Sequence, residues 1–114
     1  VSPDIKLGEE GGMGDFRLVF LPLVHIYGNL IEAAIGLGRN DWSRVESGVY
    51  AVRGYLNELE SVGVKLEDAR RRLEELERAV RDRNAEEVEF GLDALFHSVL
   101  SEVGDWLERR SEHV

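Results

Sequence analysis

The sequence predicts an all-α fold: an antiparallel four-helix bundle made of two similar αα-hairpins, preceded by an irregular glycine-rich arm. Three observations lead there. Apolar residues recur at alternating spacings of three and four along separate stretches, which is the mark of one buried helical face. Asp, Asn and Gly stand where those stretches begin and end. And RNDWSRVESGVYAV at residues 39–52 is nearly repeated as RNAEEVEFGLDAL at residues 83–95.

Residues 1–14 hold Pro3 and four glycines, Gly8, Gly11, Gly12 and Gly14. Glycine at that density loses too much backbone entropy to favour a helix, so this stretch is expected to be an irregular arm, with residues 15–114 as a single domain. Asp15 is placed to cap the next stretch. Pro22 cannot donate a backbone hydrogen bond and crowds the preceding turn. The first helix therefore either starts near Pro22, where proline is welcome, or starts at Asp15 and kinks. It ends around Gly36–Gly38.

Asp41 or Ser43 caps a second helix, and Ser43 with Glu46 fits a capping box. Val45, Val49, Val52, Leu56 and Leu59 form its seam, and Gly63 is placed to stop it. The third helix carries Leu66, Ala69, Leu73, Leu76 and Val80 on one face. Glu67–Arg71, Asp68–Arg72, Glu74–Arg78 and Glu77–Arg81 are spaced as acid-first i,i+4 pairs. Asn84 caps a fourth helix with the seam Val88, Leu92, Leu95, Val99, Val103 and Trp106, widened by Phe96, Leu100 and Leu107. It is expected to run to about Arg110 as the longest element.

Dropping one residue from the first copy of the repeat sets Arg39-Asn40 over Arg83-Asn84 and VESGVYAV (45–52) over VEFGLDAL (88–95). Each copy reads as helix, short turn, helix. One such hairpin cannot cover its own apolar stripe, but two can cover each other's. Gly48 with Ala51, and Gly91 with Ala94, are small residues at matching places. Because glycine costs a helix about 1 kcal/mol relative to alanine, they are expected to mark a close contact between the second and fourth helices.

The first helix is apolar around most of its circumference, with His25, Asn29, Glu32 and Arg39 on one narrow polar stripe. Such a helix needs cover on two sides. The bundle core supplies one. The other is expected to be a second copy of the chain or the arm, with a homodimer built partly on Phe16, Phe20, Leu23, Ile26, Tyr27 and Ile31.

Composition narrows the function classes. Net charge is −9, with six acids and three bases in residues 1–41 and eight acids and two bases in residues 85–114. The one basic cluster, Arg70-Arg71-Arg72, is flanked by acids, so no nucleic-acid partner is expected. A protein partner, if there is one, is expected to present a basic surface. Cysteine is absent, which removes disulfides, thiolate nucleophiles and cysteine-ligated metals and suits a cytoplasmic location. The longest uninterrupted apolar run, Leu18–Val24, is far below the roughly 18 residues of a membrane span, so no membrane partner is expected. Arginine outnumbers lysine twelve to two, and glutamine and threonine are absent, a bias that fits a heat-adapted source or a GC-rich genome.

Several arrangements could carry chemistry. His25, Asn29 and Glu32 share a helical face, as do Asp93 and His97; each set could supply metal ligands, and each also fits an ordinary solvated edge. Met13 and His113 lie near the ends that meet in an up-down bundle and loosely resemble the axial pair of haem-binding bundle cytochromes. The segment LEELERAVRDRNAEEVEFGLDALFHSVL resembles the helix–turn–helix of MazG-type all-α nucleotide pyrophosphohydrolases. That resemblance implies magnesium held by Glu74, Glu75 and Asp93 against a nucleoside triphosphate, with Mg as the cofactor. The segment departs from the pattern at Arg78 and Phe90, where two further acids belong. No nucleophile–base arrangement or phosphate-binding glycine loop is present. The sequence therefore points first to a self-associating interaction or structural module without catalysis and without a cofactor. A MazG-like magnesium-dependent hydrolase, and a metal- or haem-binding bundle, stand as alternatives.

Overall fold

The computed structural model describes the backbone of residues 12–112 and the side chains of residues 15–110. Among these residues there are four helices and no strand: α1 (Gly12–Gly38), α2 (Trp42–Ser61), α3 (Glu67–Arg81) and α4 (Ala85–Glu112). Arm residues 1–11 lie outside the described residues. So does the proposed pairing of the Met13 and His113 side chains.

Helix α1 takes in Gly12–Gly14, which the glycine content had assigned to the arm. Asp15 is thus inside the first turn, not a cap. Its carboxylate suits the positive end of the helix dipole and accepts from Arg110 Nε of α4 at 2.9 Å. The helix also runs without a break through Pro22. Pro22 is itself buried beside Val19 and Ile26, and packing of that face outweighs the roughly 3 kcal/mol that an interior proline costs.

The repeat is clearest in the turns. Asn40 has φ 57° and Arg83 has φ 55°. Asp41 N donates to Gly36 O at 2.8 Å and Asn40 N to Leu37 O at 3.1 Å; Asn84 N donates to Ala79 O at 3.0 Å and Arg83 N to Val80 O at 3.1 Å. Asp41 and Asn84 then cap the following helices, accepting from Arg44 N and Glu87 N, each at 3.2 Å. Both connections are therefore one left-handed residue closing a helix and one Asx residue opening the next. Every pair of equivalent positions is 43 residues apart, with no gap. The shared Arg-Asn dipeptide, which needed one, is a coincidence of letters: Asn40 matches Arg83, and the cap is Asp41, not Ser43.

Helix α1 packs on α2 and α4, and α3 packs on α4 and α2. The seams predicted for α2, α3 and α4 are all buried, together with Val19, Ile26, Leu30 and Ala33 of α1, and they form one core. Leu100, expected to widen the α4 seam, is exposed instead. Helices α2 and α4 do not approach within 8 Å (Cα–Cα) among the described residues, so the small residues do not join them. A Cβ on Gly48 would stand 2.5 Å from Asn29 O and 3.0 Å from Ala33 N, both in α1. A Cβ on Gly91 would stand 2.9 Å from Leu76 Cδ1 in α3. Ala51 and Ala94 are half-buried beside them. Ala33 and Leu76 are again 43 residues apart, so each glycine serves the contact within its own half.

The expected i,i+4 pairs along α3 give way to others. Arg71 pairs with Asp68 and Arg72 with Glu75 one turn away. Glu77, almost fully buried, pairs with Arg53 of α2. The N-terminus of α3 has no side-chain cap of its own at Leu66. Glu102 of α4 supplies it, accepting from Asp68 N at 3.0 Å and Ala69 N at 2.8 Å. The equivalent position in the first half is Leu59, because α1 continues past that point and leaves no free N–H groups there.

Candidate functional site

On the outward side of α1, Arg17, Phe20, Leu21, Val24, Tyr27, Gly28, Ile31, Ile35 and Gly38 are all exposed. At 100° per residue they fall within one third of the helix circumference. Arg17 is their one charged member. Leu21 is 61% exposed and Tyr27 51%. Of the expected interface residues, Phe16, Phe20, Tyr27 and Ile31 lie on or beside this face. Ile26 does not: it is 0% exposed, pointing into the core, and Leu23 is half-buried against that core. Leu21, Val24 and Ile35 belong to the face and were missed, because a helix apolar nearly all round gives no contrast by which to tell its outer stripe.

The second half of the chain provides an internal control. Adding 43 to Val24, Tyr27, Gly28, Ile31 and Ile35 gives Glu67, Arg70, Arg71, Glu74 and Arg78. The same helical face is thus charged on α3 and apolar on α1, so the architecture does not itself require an apolar surface there. The flanks differ in the same sense. Where α2 meets α3, Arg53 pairs with Glu77, and Arg70 with Glu60 and Asn57. Where α1 meets α4, Tyr27 packs on Phe96 with ring centroids 5.0 Å apart, over a shallow apolar cavity of about 170 Å³ that Ile31 and Ala34 also line.

The polar stripe of α1 is a solvent edge along the border with α2, with His25, Glu32 and Arg39 exposed. His25 stacks on Tyr55 at 4.9 Å, Asn29 Nδ2 donates to His25 O at 2.8 Å, and Glu32 accepts from Arg44 Nε at 2.7 Å. By length and composition Asp15–Gly38 could cross a membrane: it contains an 18-residue window of mean hydropathy 1.7, of which 28% is buried. The count of uninterrupted apolar residues missed this because Arg17 bounds the run on one side and His25, Asn29 and Glu32, on the α2 side, break it on the other.

The candidate metal ligands are not drawn together. Glu75 lines a cavity of about 380 Å³ between α3 and α4, with Arg72, Arg78, Glu86 and Glu87. Asp93 faces the α1 side of α4, and its carboxylate lies 3.2 Å from His97 Nε2 in a pair that is mostly exposed. Glu74 is exposed on α3. Among the described residues no three His, Asp or Glu side chains form a group suited to a metal ion. One polar cluster is built across helices: the buried Ser98 hydroxyl donates to Asp68 beside Glu102. That hydrogen bond, followed by the one from Arg71, holds the Asp68 carboxyl below its ordinary value. The cluster ties α3 to α4, and Glu102 also lines an open depression of about 260 Å³ with Lys65, Glu67, Asp105 and Arg109.

Comparison with protein-family models, curated proteins and solved structures gives no match.

Proposed function

We propose that this protein is a self-associating helical module whose working surface is the outer face of α1, and that its side chains carry no reaction. Two αα-hairpins, each antiparallel and joined by the same turn, form its scaffold. Support for that arrangement comes from pairs such as Glu32 with Arg44 and His25 with Tyr55, whose members move apart in sequence as they leave the turn. One observation carries the functional reading: a face that is charged on α3 is apolar on α1 at equivalent positions. Contiguous apolar surface of this extent marks a contact site in proteins. The homodimer and a cytoplasmic location belong to the same proposal.

Sedimentation equilibrium tests it. The full chain should sediment as a dimer at micromolar concentration, and Ile31→Glu or Val24→Glu should shift it toward monomer with helicity by circular dichroism unchanged. A wild-type chain that stays monomeric across the accessible range overturns the reading.

A further inference from the structure

The charges at the two ends of the α1 face do not match within one chain. Arg17 stands at the N-terminal end and has no ion-pair partner among the described residues. At the other end, Gly38 borders a depression of about 570 Å³ that is also lined by Ala34, Glu86, Glu89 and Asp93. Glu86 and Glu89 have no basic partner among the described residues either. Arg17 and Gly38 are separated by about 32 Å of helix at 1.5 Å per residue, so Arg17 cannot reach these acids in its own molecule.

We infer that α1 pairs antiparallel with α1 of a second copy, about a twofold axis near Gly28, and that Arg17 of each chain enters the acidic depression beside Gly38 of the other. The inference rests on the self-association proposed above and adds its geometry. Three features agree. Residue 17 of one chain faces residue 38 of the other only when the axis passes midway, between Tyr27 and Gly28. Gly28 sits on the outer face, where an added Cβ would meet nothing within 4 Å, so the backbones are free to approach at the axis; its counterpart on α3 is Arg71. The area suits an interface: the large apolar side chains on and beside the face leave on the order of 600 Å² uncovered, and Arg17 with the acids around Gly38 add polar area toward the roughly 800 Å² per partner of a standard interface. A parallel pairing would set Arg17 against Arg17 and the acids against each other. In the antiparallel pair each base meets acids, twice by symmetry.

The test uses the full chain by sedimentation equilibrium, alone and with vesicles of zwitterionic or anionic phospholipid. Arg17→Glu, and separately Glu86→Lys with Glu89→Lys, should each raise the dissociation constant about tenfold or more by turning two attractive contacts repulsive. An equimolar mixture of the two variants should recover wild-type affinity, because both contacts are then opposite in charge. As an independent check, Leu21→Cys and Ile35→Cys chains should crosslink to each other on oxidation but not to themselves. If the charge variants associate like wild type, or their mixture does not recover, the antiparallel geometry falls while self-association stands. If the wild-type chain is monomeric, or meets only vesicles through α1, both fall.

Discussion

Gly48 and Gly91 occupy equivalent places, yet alanine there should have different effects. A Cβ on Gly48 would lie 2.5 Å from a backbone oxygen and 3.0 Å from a backbone nitrogen of α1. Neither atom can move unless the helix does. Overpacking of this kind costs about 1–3 kcal/mol, and the rigidity of the obstacle places it toward the upper end. The better helix propensity of alanine returns about 1 kcal/mol, which leaves Gly48→Ala destabilised by about 1–2 kcal/mol. A Cβ on Gly91 meets Leu76 Cδ1 at 2.9 Å and Leu76 Cβ at 3.4 Å, and a leucine terminus can rotate aside. Gly91→Ala should lie within about 1 kcal/mol of wild type. Gly54 is exposed, with nothing within 4 Å of its Cβ position, so Gly54→Ala should stabilise by about 0.5–1 kcal/mol. Urea unfolding followed by circular dichroism, at one fixed protein concentration, ranks the three. If Gly48→Ala stabilises as Gly54→Ala does, the α1–α2 contact is not as close as described and the reasoning fails.

Glu102→Leu restores the residue found at the equivalent position of the first half but leaves Asp68 N and Ala69 N without an acceptor; it should cost about 1–2 kcal/mol, and Glu102→Gln less, read from urea midpoints. Arg53→Met strands the buried Glu77 carboxylate and should destabilise by about 1–3 kcal/mol, discounted because Arg53 is half exposed; adding Glu77→Leu should recover most of the loss. The folded-state pKa of Asp68 lies below its unfolded value, so the stability it contributes is present above the unfolded pKa and is lost as pH falls through the folded one. Ser98→Ala should raise the Asp68 pKa toward the ordinary carboxylate range in an NMR titration and move this loss to higher pH.

The sequence was most legible where one helical face is apolar and the other charged. Val45 to Leu59, Leu66 to Val80 and Val88 to Trp106 are buried in the predicted pattern because the contrast between faces leaves only one orientation. The cap at Asn84 and the stop at Gly63, with φ 103°, were legible as well. Contacts between helices were not. No local spacing announces that Glu102 will cap α3 or that Arg83 will lie over the Trp42 ring, 5.2 Å from its centroid. The glycines at 48 and 91 were readable as close contacts but not as to their partners, since a helix carries no mark of which neighbour its small residues meet. For the same reason Ile26, expected at the interface, is buried, and Val24, not named for it, is exposed on α1, where the letters on both sides are alike.

That the α3 cap comes from Glu102, far along the chain, has a consequence for how the molecule assembles. Isolated helices of about fifteen residues are marginal in water, and α3 has 15. Its opening turn stays without acceptors until the distal part of α4 has docked. The left-handed residue of the second turn, Arg83, is steadied by Trp42 and Glu46 of α2. The two helices of the later half thus acquire order together, the start of one waiting on the far end of the other.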